Sequence, residues 1–124
     1  MRKVGWFDIY VDDMDRAQAF YETVLETELA PMDDPSDDTV IMRTFVDDFA
    51  CHGAGGALVK LAHASPGIGG SLVYFSCDDC EVEQGRVEAA GGQIARPKFS
   101  IGDHGFVSLA MDTEGNMIGF HSQR

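Results

Sequence analysis

The chain contains a repeat of itself. Laid from Gly5, the stretch GWFDIYVDDMDRAQAFYETVLETELAP superposes on SLVYFSCDDCEVEQGRVEAAGGQIARP, which starts at Ser71. Asp12 meets Asp78, Asp13 meets Asp79, Gln18 meets Gln84, Glu22 meets Glu88 and Pro31 meets Pro97, and the apolar pattern follows. At 124 residues the chain has the size of one domain. Two copies in that length make one compact unit or two intimately packed halves.

Each copy opens on an alternating run, Trp6 to Val11 and Leu72 to Cys77, which predicts a strand. An Asp-Asp pair follows in both, and Asp is a good helix N-cap. The next stretches, Met14 to Leu25 and Cys80 to Ala90, have helical composition, the second stopped by Gly91-Gly92. Further strands are expected at Thr39 to Val46 and Ala57 to Leu61, and at Phe106 to Met111 and Met117 to His121. Shorter ones fit Glu28 to Ala30 and Gln93 to Arg96. The closing segments also align, with Gly55 over Gly115, Leu58 over Ile118 and Val59 over Gly119. The reading is an α+β fold of two β-α-β-β-β modules, about 1–64 and 71–124, joined by the Gly/Pro-rich residues 65–70.

Composition narrows the function. A formal net charge of −12 repels phosphate backbones, and the few Lys and Arg are scattered rather than striped, so no nucleic-acid partner is expected. No apolar run approaches the roughly 20 residues of a membrane helix. Asp8 interrupts the apolar residues behind the basic start, so a cytoplasmic location is expected. Three cysteines, Cys51, Cys77 and Cys80, are an odd set that argues for reduced thiols.

Strand parity separates two faces. Phe7, Ile9 and Val11, with Val73, Phe75 and Cys77 and with Ile118 and Phe120, are expected in the core under the helices. Opposite parity gives Trp6, Asp8 and Tyr10, then Leu72, Tyr74 and Ser76, then Val59 and Leu61, then Met117, Gly119 and His121. Apolar and aromatic groups with a few polar ones are what lines a small-molecule cavity.

The paired modules, the entry VDDMDRAQAFYETVL and the closing DTEGNMIGFHS resemble the vicinal oxygen chelate superfamily of glyoxalases, bleomycin-resistance proteins and extradiol dioxygenases. The likeness spans essentially the whole chain, and both motifs look closest to small glyoxalase-like proteins. It implies a curved sheet around a cavity and a homodimer. It also implies a divalent metal held by His or Gln and Glu from the first and last strands of each module. Here those positions carry Trp6, Leu72, approximately Val59, and Gly119, none of which ligates a metal. No cofactor is therefore expected. Either Trp6 fills the room that Gly119 leaves, as an aromatic floor, or Gly119 serves close packing or a bulge.

Asp8 and His121 have pocket parity near the lost ligand positions. They are candidates for acid and base, or for hydrogen-bond anchors of a ligand. The plain alternatives are an Asp8 paired with Lys3, Arg43 or a tyrosine, and a His121 at a frayed strand end. A displaced metal site would need help from His52, His63 or His104, which lie in loops without ligand spacing. The CDDC tetrad reads as two small buried or half-buried residues, because its first Cys has core parity and the acidic pair disfavours a thiolate. GAGG and GIGG lack the P-loop lysine and precede strands, so they read as loop glycines. The acidic run Asp33 to Asp38 reads as a solvated turn or a lip near the cavity. The favoured function is a metal-free protein binding a small, partly aromatic ligand at Trp6, Tyr10, Val59, Leu72, Tyr74, Ser76, Met117 and Gly119. The other is a lyase or isomerase acting on a carbonyl metabolite through Asp8 and His121 or a non-standard metal site.

Overall fold

A computed structural model describes residues 6–33, 37–45 and 53–124. Lys3, Val46, Cys51, His52 and the middle of the acidic run lie outside the described residues. The order is β1 (Trp6–Tyr10), α1 (Met14–Leu25), β2 (Leu29–Met32), β3 (Ile41–Phe45), β4 (Gly55–Lys60), β5 (Val73–Ser76), α2 (Cys80–Val87), β6 (Gln93–Ser100), β7 (Phe106–Met111) and β8 (Met117–Ser122). Two four-stranded mixed sheets result, β1-β4-β3-β2 and β5-β8-β7-β6, so the β-α-β-β-β pattern is built twice. Among the described residues no helix is long and apolar enough to cross a membrane.

Both helices begin where the Asp-Asp pairs stand. The Asp13 side chain accepts from the Arg16 amide, and Asp79 accepts from the Glu81 amide, each satisfying an orphan N–H of the first turn. The second helix stops at Val87, short of the expected Ala90. Beyond it the Ala90 amide is shared between the Arg86 and Val87 carbonyls and Gly91 bonds Glu88, a tightening that ends in left-handed Gly91 (φ 99°).

The two halves share one core. Ile9, Val11, Phe20, Tyr21, Val24 and Leu58 from the first pack with Cys80, Val87, Ala110, Ile118 and Phe120 from the second. Phe7, Tyr21, Phe45 and Phe75 form a ring cluster across the join, with centroids 5.8–6.1 Å apart.

Polar bonds fasten the same join. The turn between β7 and β8 sends Glu114, with no exposed side-chain area, to the N-terminus of α1. One oxygen accepts from the Asp12 and Asp13 amides at 3.0 and 2.8 Å and from Arg16; the other accepts from Arg16 Nε at 2.8 Å. Burial pushes this carboxyl up, but Arg16, the two amides and the Thr113 hydroxyl outweigh it and bring its pKa down to about 2. Asp112 takes the Tyr21 hydroxyl at 2.6 Å, and Asn116 donates to the Tyr10 carbonyl at 2.8 Å. Burial first, then the Asp112 charge, raises the Tyr21 phenol well above its ordinary range. At the far end of α1, Arg86 of α2 donates to the Val24 carbonyl and pairs with Glu26. The segment that reads as a polar turn in the sequence is thus a buried clasp.

Candidate functional site

Cross-strand register sets out the face turned away from the helices. In the first sheet Asp8, Ala57, Thr44 and Ala30 stand in one row, and Tyr10, Val59, Met42 and Met32 in the next. In the second sheet Tyr74, Gly119, Leu109 and Arg96 form the matching row, and Ser76, His121, Val107 and Phe99 the one beside it. Gly119 therefore corresponds to Ala57, and Val59 corresponds to His121. The end-to-end alignment of the closing segments puts Val59 over Gly119; register shifts that pairing by two residues, which keeps parity and changes the neighbour.

The room beside Gly119 is filled by Tyr74 and not by Trp6. A β-carbon at Gly119 would overlap the Tyr74 ring, so glycine is what lets that ring lie flat against β8. Trp6 instead donates its indole N–H to Asp8 Oδ1 at 2.9 Å, a partner that sequence reading did not supply. Both aromatics remain open, Trp6 at 42% and Tyr74 at 48% exposed.

Among the described residues, three clefts border these rows. One of about 520 Å³ is walled by Tyr74, Ser76, Phe99, Ile101, Val107 and His121. A second, about 560 Å³, runs along the join between Trp6 and Asp8 on one side and Leu72 and Tyr74 on the other. A third, about 300 Å³, holds Asp8, Tyr10, Asn116 and Met117. Tyr74 borders the first two, whereas Asp8 lines the second and third and His121 the first. Val59 is buried beside Tyr10.

His121 Nε2 lies 2.7 Å from the His104 carbonyl. A carbonyl only accepts, so Nε2 carries a proton, and the neutral tautomer that this contact selects is the one with its lone pair on Nδ1. Of the positions where the resemblance implies metal ligands, register puts Ala57 in the place given to Val59, beside Trp6, Leu72 and Gly119; none of the four offers an oxygen, sulfur or imidazole donor, so the residues present do not fit a metal. Among the described residues no three His, Cys, Asp or Glu side chains converge.

Cys77 and Cys80 are free, the first half-buried and the second buried. Burial, then Glu83, pushes the Cys77 thiol up to about 12, against a thiolate role. Phe99, Ile101 and Val107 are wall residues that sequence parity did not reach: no face was assigned to β7, and Phe99 and Ile101 lie beyond Arg96, where β6 was expected to end. Register shifts interrupt it between Ile94 and Arg96 and again between Arg96 and Phe99.

Comparison with known proteins agrees with this architecture. The provisionally named glyoxylase CFP32 of Mycobacterium bovis is 25% identical over 130 residues, which cover 93% of this chain and 43% of that protein. The chain thus spans less than half of that relative's length. Glyoxalase I from Zea mays matches with a TM-score of 0.71 at 16% identity, covering 95% of this chain and 45% of the maize chain. TnmS3, an antibiotic binding protein from Streptomyces sp. CB03234, matches with a TM-score of 0.67 at 22% identity, covering 98% and 96%. Both structures share the fold. The profile of the Glyoxalase/Bleomycin resistance protein/Dioxygenase superfamily matches residues 3–120, and the chain belongs to that superfamily.

Proposed function

We propose that the protein binds a small, partly aromatic molecule without a metal. The observation that carries this reading is the Tyr74 ring packed onto Gly119, where a ligating side chain would stand, which makes an aromatic wall of a metal position. Leu109 and Val107 continue that wall as apolar surface. The fold itself hosts both kinds of work, since one neighbour is an antibiotic binding protein and another a glyoxalase I.

The test has two steps. Protein expressed in metal-supplemented medium and purified without chelator is submitted to elemental analysis. Trp6, the single tryptophan, then reports small aromatic ligands by quenching. Saturable quenching by metal-poor protein supports the reading. Near-stoichiometric zinc, nickel, iron or manganese overturns it.

The active unit in this reading is a homodimer in the cytoplasm. Trp6, Leu72 and Tyr74 leave an aromatic and apolar strip open along the join, which a second copy would cover. Unpaired Cys77 and Cys80 suit a reducing compartment. Sedimentation at micromolar concentration distinguishes monomer from dimer.

One feature favours a second reading, a lyase or isomerase acting on a carbonyl metabolite. The His104 carbonyl fixes the His121 tautomer and leaves Nδ1 available as a base. Asp8→Asn and His121→Gln separate the two: loss of turnover with binding retained marks an enzyme, and loss of affinity marks an anchor.

A further inference from the structure

We infer that the cleft on the second sheet takes an aromatic or apolar carboxylate, and that Arg96 pairs with its acid group. This rests on the reading of that cleft as a ligand site and names the ligand's class.

The irregularity of β6 is what places the arginine. Ile94 stands opposite Ala110 on the core side. In a regular strand Arg96, two residues on, would share that side. An extra residue intervenes, Arg96 stands opposite Leu109, and its side chain joins the outward row of Leu109, Gly119 and Tyr74. A second extra residue then brings Phe99 opposite Val107, so Arg96 and Phe99, three apart, emerge on one face. Bulges that re-aim side chains concentrate at binding sites, and Pro97 lies inside this one, where no ladder N–H is needed.

The two side chains meet there. The Arg96 guanidinium carbon lies 3.6 Å from the centroid of the Phe99 ring, which walls the cleft. A stacked guanidinium keeps its N–H groups at the edge of its plane, free for a planar, two-oxygen partner. Arg16, Arg86 and Lys98 each pair with a carboxylate; Arg96 has no such pair among the described residues. On a chain of net charge −12 an unpaired, stacked cation beside an apolar cleft is a local exception to a repulsive field. The row beside it ends in His121 and Ser76, which supply further polar contacts at the opposite end of the cleft. Tyr74, Val107 and Phe99 would take the ring or chain of the ligand, and Arg96 its carboxylate.

Calorimetric titration with 2-naphthoate and with 2-naphthamide, equal in shape and different in charge, tests this. The wild type is expected to bind the carboxylate about tenfold more tightly than the amide, as one charge-assisted pair would give. Arg96→Met, which keeps the stem packed, should erase that preference while leaving the amide's affinity unchanged; Arg96→Lys should keep part of it. Tyr74→Ala should weaken both probes alike. Equal affinity in the wild type, a preference that survives Arg96→Met, or indifference to Tyr74→Ala overturns the assignment while a binding role stands. If neither probe binds the wild type, the binding reading fails and this inference with it.

Discussion

Asp8, Ala57, Thr44 and Ala30 cross the first sheet in one row; Tyr74, Gly119, Leu109 and Arg96 cross the second in the matching row. At the strand nearest the join, a carboxylate in one half answers to an aromatic ring in the other. At the outer strand, a methyl group answers to a guanidinium. The outer strands differ in path as well, since β2 pairs with β3 without interruption while β6 carries two bulges. Duplication supplies one grid of positions. The copies differ in what those positions carry, and the second sheet holds an aromatic cleft with a cation at its edge.

Breaking the clasp should have the largest effect. Glu114→Ala leaves Arg16 and the Asp12 and Asp13 amides without their buried acceptor, and a loss of about 3 kcal/mol in urea unfolding is expected. Glu114→Gln should lose less and carry a pH signature. Because the folded carboxyl is held at about 2, below its ordinary 4.5, its contribution is complete above pH 4.5 and fades as pH falls toward 2. The gap between wild type and Glu114→Gln should therefore close over that window.

The divergence at Gly119 comes next. Ala57 already carries a β-carbon beside Asp8, whereas Gly119→Ala must push the Tyr74 ring aside, at about 1–2 kcal/mol. In a Tyr74→Ala background the same change should cost little, so a double-mutant cycle reads the coupling. Asp8→Asn should alter Trp6 emission while moving stability by about 1 kcal/mol or less, since the indole bond is exposed. Smallest of all, Ala30→Arg gives the first sheet its own guanidinium. With no bulge and Met32 in place of Phe99, stability is expected to stay within about 0.5 kcal/mol and no preference for naphthoate over naphthamide should be gained.

What could be read from the chain beforehand was whatever local chemistry decides. Both Asp-Asp caps, α1 from Met14 to Leu25 and the alternation of β1 and β5 follow from neighbours in sequence. The fold followed because those pieces occur twice. Register across strands is not a local property, so end-to-end alignment matches Val59 with Gly119 where register matches Ala57, and of the two readings of Gly119, room for Trp6 or close packing, the Tyr74 ring packed on it fits the second. The bulges of β6 inverted parity at Arg96, and no periodicity argument survives an inserted residue. Glu114 read as part of a polar turn because its partners, Asp12, Asp13 and Arg16, lie at the other end of the chain. Its one visible clue was an acidic residue between Asp112 and Asn116 just ahead of a strongly apolar strand.

That clasp also bears on how the molecule comes into being. Its bonds join residues 101 and 102 positions apart, so the start of α1 stays incompletely satisfied until Glu114 has been made and brought round. Closing so wide a loop costs entropy before any contact rewards it, and contacts of such separation slow folding. The first half has its own sheet and helix but borrows its fastening from the second. Folding is then expected to be a single cooperative event that waits for the last quarter of the sequence, with the early half held open to whatever meets it first.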